Sequence, residues 1–148
     1  MNRKIYLDTS VISALYDQRT PERMEMTKNA WAEIREYEVY ISDLVVEELQ
    51  MAKGQMLGLL NAAVEGFVVI GIDDEASALA AVYVSEGIFP EKYMDDAIHV
   101  AVATVNEIGL LLSWNFKHLV KLKTRRMVTE VNAANGYGPI EIIAPPEL

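Results

Sequence analysis

Asp8 follows the apolar run Ile5-Tyr6-Leu7 directly, and Thr9 and Ser10 come next. An Asp in that place is an ordinary helix N-cap, but either hydroxyl residue can cap and leave the carboxylate spare. Glu47 and Glu48 are neighbours with different prospects. Val45, Leu49, Ala52 and Met56 form an apolar stripe at i, i+4, i+7 and i+11. Glu48 falls beside that stripe, whereas Glu47 lines up with Asp43 and Gln50 on the polar side. A carboxylate turned toward a core is costly unless it meets a cation, a proton or a metal. The alternative is a side chain that bends out to water at the stripe's edge. Asp95 and Asp96 open the stretch Ala97-Ile98-His99-Val100-Ala101-Val102-Ala103, apolar on almost every side. One acid can cap that buried helix and favour its dipole. The other points about 100° away and has no such duty. Asp96 shares a face with His99, which alone reads better as a satisfied core histidine than as a ligand.

Three isolated acids on three elements are the donor set that Mg²⁺ or Mn²⁺ favours, since hard divalent ions prefer carboxylate and water oxygens to thiolate. Competing templates are missing: there is no G-x-x-x-x-G-K-[ST], H-E-x-x-H, EF-hand loop or G-x-S-x-G. A haloacid-dehalogenase-type phosphatase needs Asp-x-Asp, and the second place is Ser10. A receiver-type aspartyl phosphoacceptor at Asp8 stays open as a rival.

The elements that must position these acids alternate in type. Strands are expected at Lys4–Leu7, Val39–Ile41, Phe67–Ile70 and Leu110–Leu112, with Ile140–Ile143 as a last, edge strand. Helices are expected from Thr9 or Ser10 to Tyr16, from Pro21 to Glu36, from a Ser42 cap to Ala52, and over Gln55–Val64. Others run from Asp73 or Asp74 to Val84, over Asp95–Asn106, and through a longer region ending near Asn135, before Gly136. Such alternation predicts an α/β fold on a mostly parallel sheet, its short apolar strands covered on both faces. Sites on such sheets gather beyond the C-terminal strand ends, which directs attention to Asp8, Ser42, Asp73 and Ser113.

A chain of 148 residues fits one domain, 1–148, with no repeat or linker dividing it. Cysteine is absent, and no stretch approaches the ~20 apolar residues of a membrane span. The expectation is a soluble cytoplasmic protein without a membrane partner. The net charge of −9 disfavours tight nucleic-acid binding. Its distribution says more. No acid occurs from Ile108 to Thr129, where Lys117, Lys121, Lys123, Arg125 and Arg126 supply five of the 13 basic residues. The window is either a solvated helix face or a local track for phosphates.

Four stretches resemble the motifs of the PIN-domain family in order, over nearly the whole chain. Ile5-Tyr6-Leu7-Asp8-Thr9-Ser10-Val11-Ile12 is similar to the first. Ser42-Asp43-Leu44-Val45-Val46-Glu47-Glu48-Leu49 is similar to the second, whose functional acid precedes Leu and is therefore Glu48. Asp96-Ala97-Ile98-His99-Val100-Ala101-Val102-Ala103 is similar to the third, which selects Asp96 over Asp95. Leu110-Leu111-Leu112-Ser113-Trp114-Asn115-Phe116-Lys117-His118 is similar to the fourth. The resemblance implies a three-layer α/β/α domain and RNA phosphodiester hydrolysis with Mg²⁺ or Mn²⁺ held by Asp8, Glu48 and Asp96. Members of this size look like VapC toxins, homodimers inhibited by a small cognate antitoxin. Asn115 stands where the fourth motif often carries an acid; its neutral oxygen implies weaker binding of a second metal. On this reading Asn115, Thr9 and Ser10 orient water or phosphate. Lys117, Lys121, Arg125 and Arg126 hold flanking phosphates, and Trp114 either stacks on a base or serves a core or interface. The alternative within the family is a catalytically impaired RNA-binding module.

Overall fold

The computed structural model describes residues 3–148. Five parallel strands, β1 (Lys4–Leu7), β2 (Glu38–Ser42), β3 (Val68–Ile70), β4 (Leu110–Leu112) and β5 (Glu141–Ile143), form one sheet in the order β3-β2-β1-β4-β5. Tyr6 pairs with Tyr40 on one side and Leu111 on the other, which puts β1 at the centre. Ile5, Tyr6 and Leu7 are fully buried, as a strand covered on both faces requires. The expectation fails at β3, where Val68 and Val69, which point to opposite faces, are 41% and 48% exposed, so that edge strand is left uncovered on both faces.

Among the described residues seven α-helices flank the sheet: α1 (Thr9–Ala14), α2 (Pro21–Ile34), α3 (Asp43–Leu49), α4 (Gln55–Ala63), α5 (Asp74–Ser85), α6 (Met94–Val105) and α7 (Leu122–Ala134). They pack as two sets, α1 to α4 around one another and α5 to α7 around one another. Pro21 opens α2 at its first turn, where its missing N–H costs nothing. Gly136 follows α7 at φ +80°, a left-handed position that glycine adopts without a Cβ clash. The second set is tied by a buried polar contact. The Tyr83 hydroxyl of α5 donates to Asn132 Oδ1 of α7 at 2.5 Å, and Asn132 Nδ2 reaches Thr104 Oγ1 of α6 at 3.4 Å.

The caps differ from expectation in an informative way. Ser42 caps α3 by accepting from the Val45 N–H at 3.4 Å, but the helix stops at Leu49 rather than Ala52. Asp73 caps α5 through the Ala76 N–H at 2.8 Å and is thereby spent on structure. Neither Thr9 nor Ser10 caps α1, where Asp8 holds the N-cap position with no side-chain bond to the helix. Neither Asp95 nor Asp96 caps α6, since Tyr93 precedes its first residue and both acids lie within its first turn. Asp8 and Asp96 are left for other partners.

Candidate active site

The three acids come from the end of the central strand, the last turn of α3 and the first turn of α6. Asp8 is 4% exposed, and both its oxygens accept from hydroxyls. Ser10 Oγ donates to Oδ1 at 2.5 Å and Ser113 Oγ to Oδ2 at 2.5 Å. Burial raises the Asp8 pKa, against the field of His99 and the two hydroxyl bonds. Ser113 was anticipated only as a strand end; its role here is to hold the carboxylate from β4, the strand beside β1.

Glu48 is half-buried and Glu47 exposed, as the stripe requires. Glu48 Oε1 accepts from Thr9 Oγ1 at 2.7 Å and meets His99 Nε2 at 3.1 Å. A carboxylate only accepts, so Nε2 carries the proton. Burial works against charge on Glu48, but the bonds from His99 and Thr9 outweigh it and hold the acid below the usual range. His99 is 3% exposed. Its Nδ1 lies 2.8 Å from the Tyr6 hydroxyl, which lies 2.8 Å from Ser42 Oγ. Burial opposes charge on this imidazole as well, yet Glu48, Asp8 and Asp96 raise its pKa. His99 is thus a satisfied buried histidine, and its satisfaction is what fixes Glu48.

Asp96 Oδ1 accepts from Asn115 Nδ2 at 3.3 Å. Burial first, and then the like charges of Asp8, Glu48 and Asp95, push its pKa up to about 6 against the pull of His99. Asp8 and Glu48 are thus close enough for their charges to act on Asp96. Asn115 is itself held by Ser113, whose Oγ accepts the Asn115 N–H at 2.9 Å, and its Oδ1 accepts the His118 N–H at 2.9 Å. Among the described residues the ion pairs are Arg19–Asp17 and His99–Glu48, so no Lys or Arg neutralises the acids. Among those same residues no three His, Asp or Glu side chains stand as a preformed metal cage. Glu48 Oε2 and Asp96 Oδ2 nevertheless carry no side-chain bond there, and an all-oxygen set under mutual repulsion suits a hard divalent cation.

The proposed substrate contacts divide. Lys117 and Lys121 are exposed and both act on the His118 imidazole. Arg125 turns its guanidinium to the Ile142 carbonyl at 3.4 Å, and Arg126 is exposed on α7. Trp114 is 6% exposed, with its indole N–H on Thr27 Oγ1 at 2.9 Å and Arg23 over its ring at 5.0 Å. Its place is the core, and its backbone N–H reaches Ser10 Oγ at 2.9 Å. The aromatic open to solvent is Phe116, 49% exposed, a residue that the charge pattern did not single out. A groove of about 690 Å³ lined by Tyr16, Met24, Met56 and Leu59 lies apart from the carboxylates.

The PIN domain family model matches residues 5–115, most of the chain and all three acids. No curated protein matches by sequence. Among solved structures, a toxin–antitoxin complex from Klebsiella pneumoniae is similar with a TM-score of 0.61 and 19% identity, over 81% of this chain and 93% of that one. VapC20 of Mycobacterium tuberculosis, a sarcin–ricin-loop-cleaving toxin, is similar with a TM-score of 0.57 and 18% identity, over 93% and 98%. With four ordered motifs, a five-stranded parallel sheet and a matching family model, the chain belongs to the PIN-domain family.

Proposed function

We propose that this protein is a metal-dependent endoribonuclease, the VapC-like toxin of a toxin–antitoxin pair. One observation carries the reading: among the described residues Asp8, Glu48 and Asp96 bring like charge together at the sheet's C-terminal edge with no Lys or Arg to relieve it, and the single His99 offsets it only in part. Asp8, Glu48 and Asp96 would hold Mg²⁺ or Mn²⁺. The chemistry such an ion supplies when bound is an activated water and screening of the charge that grows on the attacked phosphate. The chain's own groups do the rest. Ser10 and Ser113 fix the rotamer of Asp8, and Thr9 and His99 fix Glu48, so that the acids meet the substrate already oriented. Asn115 offers its amide between Asp96 and the substrate phosphate. Lys117 and Lys121 draw flanking phosphates to an otherwise acidic surface.

The folds it shares with a toxin–antitoxin complex and an RNA-cleaving toxin support RNA as substrate and a small antitoxin as partner. A homodimer working in the cytoplasm completes the reading; no described helix is long and apolar enough to cross a membrane. A second reading, an RNA-binding module with impaired catalysis, is favoured by the neutral Asn115 and by the hold of His99 on Glu48. Incubating the purified chain with RNA separates them. Cleavage with Mn²⁺ or Mg²⁺ that stops with EDTA supports the nuclease; intact RNA at saturating metal supports the module.

A further inference from the structure

Beside Asp96 lies a cluster that the carboxylate chemistry does not use. Tyr93, immediately before α6, and His118, from the loop after β4, place their rings 4.1 Å apart and 35° from parallel. Lys92 Nζ sits 5.2 Å from the Tyr93 ring centre. Burial and then the fields of Lys117, Lys121 and Lys92 hold His118 below the usual imidazole range. Lys92 reaches the Tyr93 ring, Lys117 adjoins His118 in the chain, and Lys121 follows three residues later at the N-cap of α7, so three lysines from two separate segments flank the stack. The cluster is tied to the acids, since the His118 N–H bonds Asn115 Oδ1 while Asn115 Nδ2 bonds Asp96.

On a chain of net charge −9, three converging lysines invite an anion, and the half-exposed ring pair beside them favours one that also carries a π-surface. We propose that Lys92, Lys117 and Lys121, gathered around the Tyr93–His118 stack, form a subsite for backbone phosphate of unpaired RNA next to the phosphate to be cut. The proposal deepens the nuclease reading and rests on it for the direction in which the RNA runs. Unpaired RNA is preferred to duplex because stacking on a side chain needs a base freed from its partner. An acidic peptide would satisfy the lysines but not the rings.

The test uses the metal-free full chain in EDTA, so no cleavage is involved and failure of the nuclease reading does not decide the outcome. Fluorescein-labelled pentauridylate is titrated by anisotropy at two salt concentrations, and the imidazole resonances of His99 and His118 are followed. Lys92→Ala, Lys117→Ala and Lys121→Ala are each expected to weaken binding about 3- to 10-fold and to reduce the salt slope by about 0.7. Lys4→Ala, at the N-terminal end of the central strand, serves as the control and should change neither. His118 resonances should move and those of His99 stay. Equal losses in Lys4→Ala, or no loss in the trio, overturn the subsite. So does a His118 shift reproduced in full by inorganic phosphate or by pentaglutamate at the same concentration.

Discussion

His99 gives its Nε2 proton to Glu48 at 3.1 Å while its Nδ1 stands 2.8 Å from the Tyr6 hydroxyl. One buried ring thus joins the sheet's central strand to an acid on α3. Glu48 is held from two directions, by His99 and by Thr9, which fixes where its free oxygen can point.

Removing that support has a double cost. His99→Ala takes from the buried Tyr6 hydroxyl one of its two partners, leaving it Ser42, at about 1 kcal/mol for the lost bond. It also frees Glu48, and loss of an orienting partner typically lowers metal affinity or activity about 10- to 100-fold. Urea denaturation and RNA cleavage rates should both show the loss. Full activity in a destabilised variant would reduce His99 to a packing role.

Asp96 makes the metal-free protein sensitive to pH. Its folded pKa is raised from 3.8 to about 6, so its contribution to stability is present below the unfolded value and lost as pH rises through about 6. The raised His99 acts in the same direction at higher pH. Glu48, held low, acts oppositely and only in more acid solution. Allowing for solvent screening of a half-buried group, the Asp96 effect is about 1–2 kcal/mol. In EDTA, Asp96→Asn should be more stable than wild type above about pH 6 and should lose that advantage toward pH 4. A constant difference across the range would contradict the repulsion.

Asn115→Asp restores the acid that the fourth motif often carries. A fourth negative charge beside Asp96 should tighten Mn²⁺ binding about 10-fold or more and lower the Tm of the metal-free protein by a few degrees. Calorimetry reads both. Unchanged affinity would place Asn115 outside the reach of the ion.

Trp114→Phe separates packing from base stacking. The change removes the indole bond to Thr27 and its packing, a loss of about 1–3 kcal/mol, with RNA affinity little altered. Phe116→Ala should leave stability nearly intact, because that ring is half in solvent already. If Trp114→Phe instead weakened RNA binding at unchanged stability, the indole would have to reach substrate.

The half-burial of Glu48 was legible because a carboxylate beside an apolar stripe conflicts with its surroundings, and that conflict shows in spacing alone, whereas Asp96 was preferred to Asp95 by the family motif. Spacing separated Glu48 from Glu47, and the strand pattern marked Asp8 and Ser113 as strand ends. What holds the acids was not legible. Ser113 reaches Asp8 across 105 positions, and His99 reaches Glu48 across 51; such partners are set by sheet order and helix rotation, which no local period records. Thr9 and Ser10 were read partly as caps because Ser and Thr usually cap, but here both hydroxyls donate to carboxylates instead. Trp114 was ambiguous for a similar reason: an aromatic's type does not reveal whether Arg23 and Thr27 cover it. The Tyr93–His118 stack joins segments that look unrelated along the chain.

The central claim is that Asp8, Glu48 and Asp96 act as one cation site, and Mn²⁺ binding followed by electron paramagnetic resonance tests it most directly. Wild type should bind the ion, and Asp8→Asn, Glu48→Gln and Asp96→Asn, each checked for folding, should each weaken it about 10-fold or more. Wild-type affinity in the folded variants, or no binding by the wild-type chain, would contradict it.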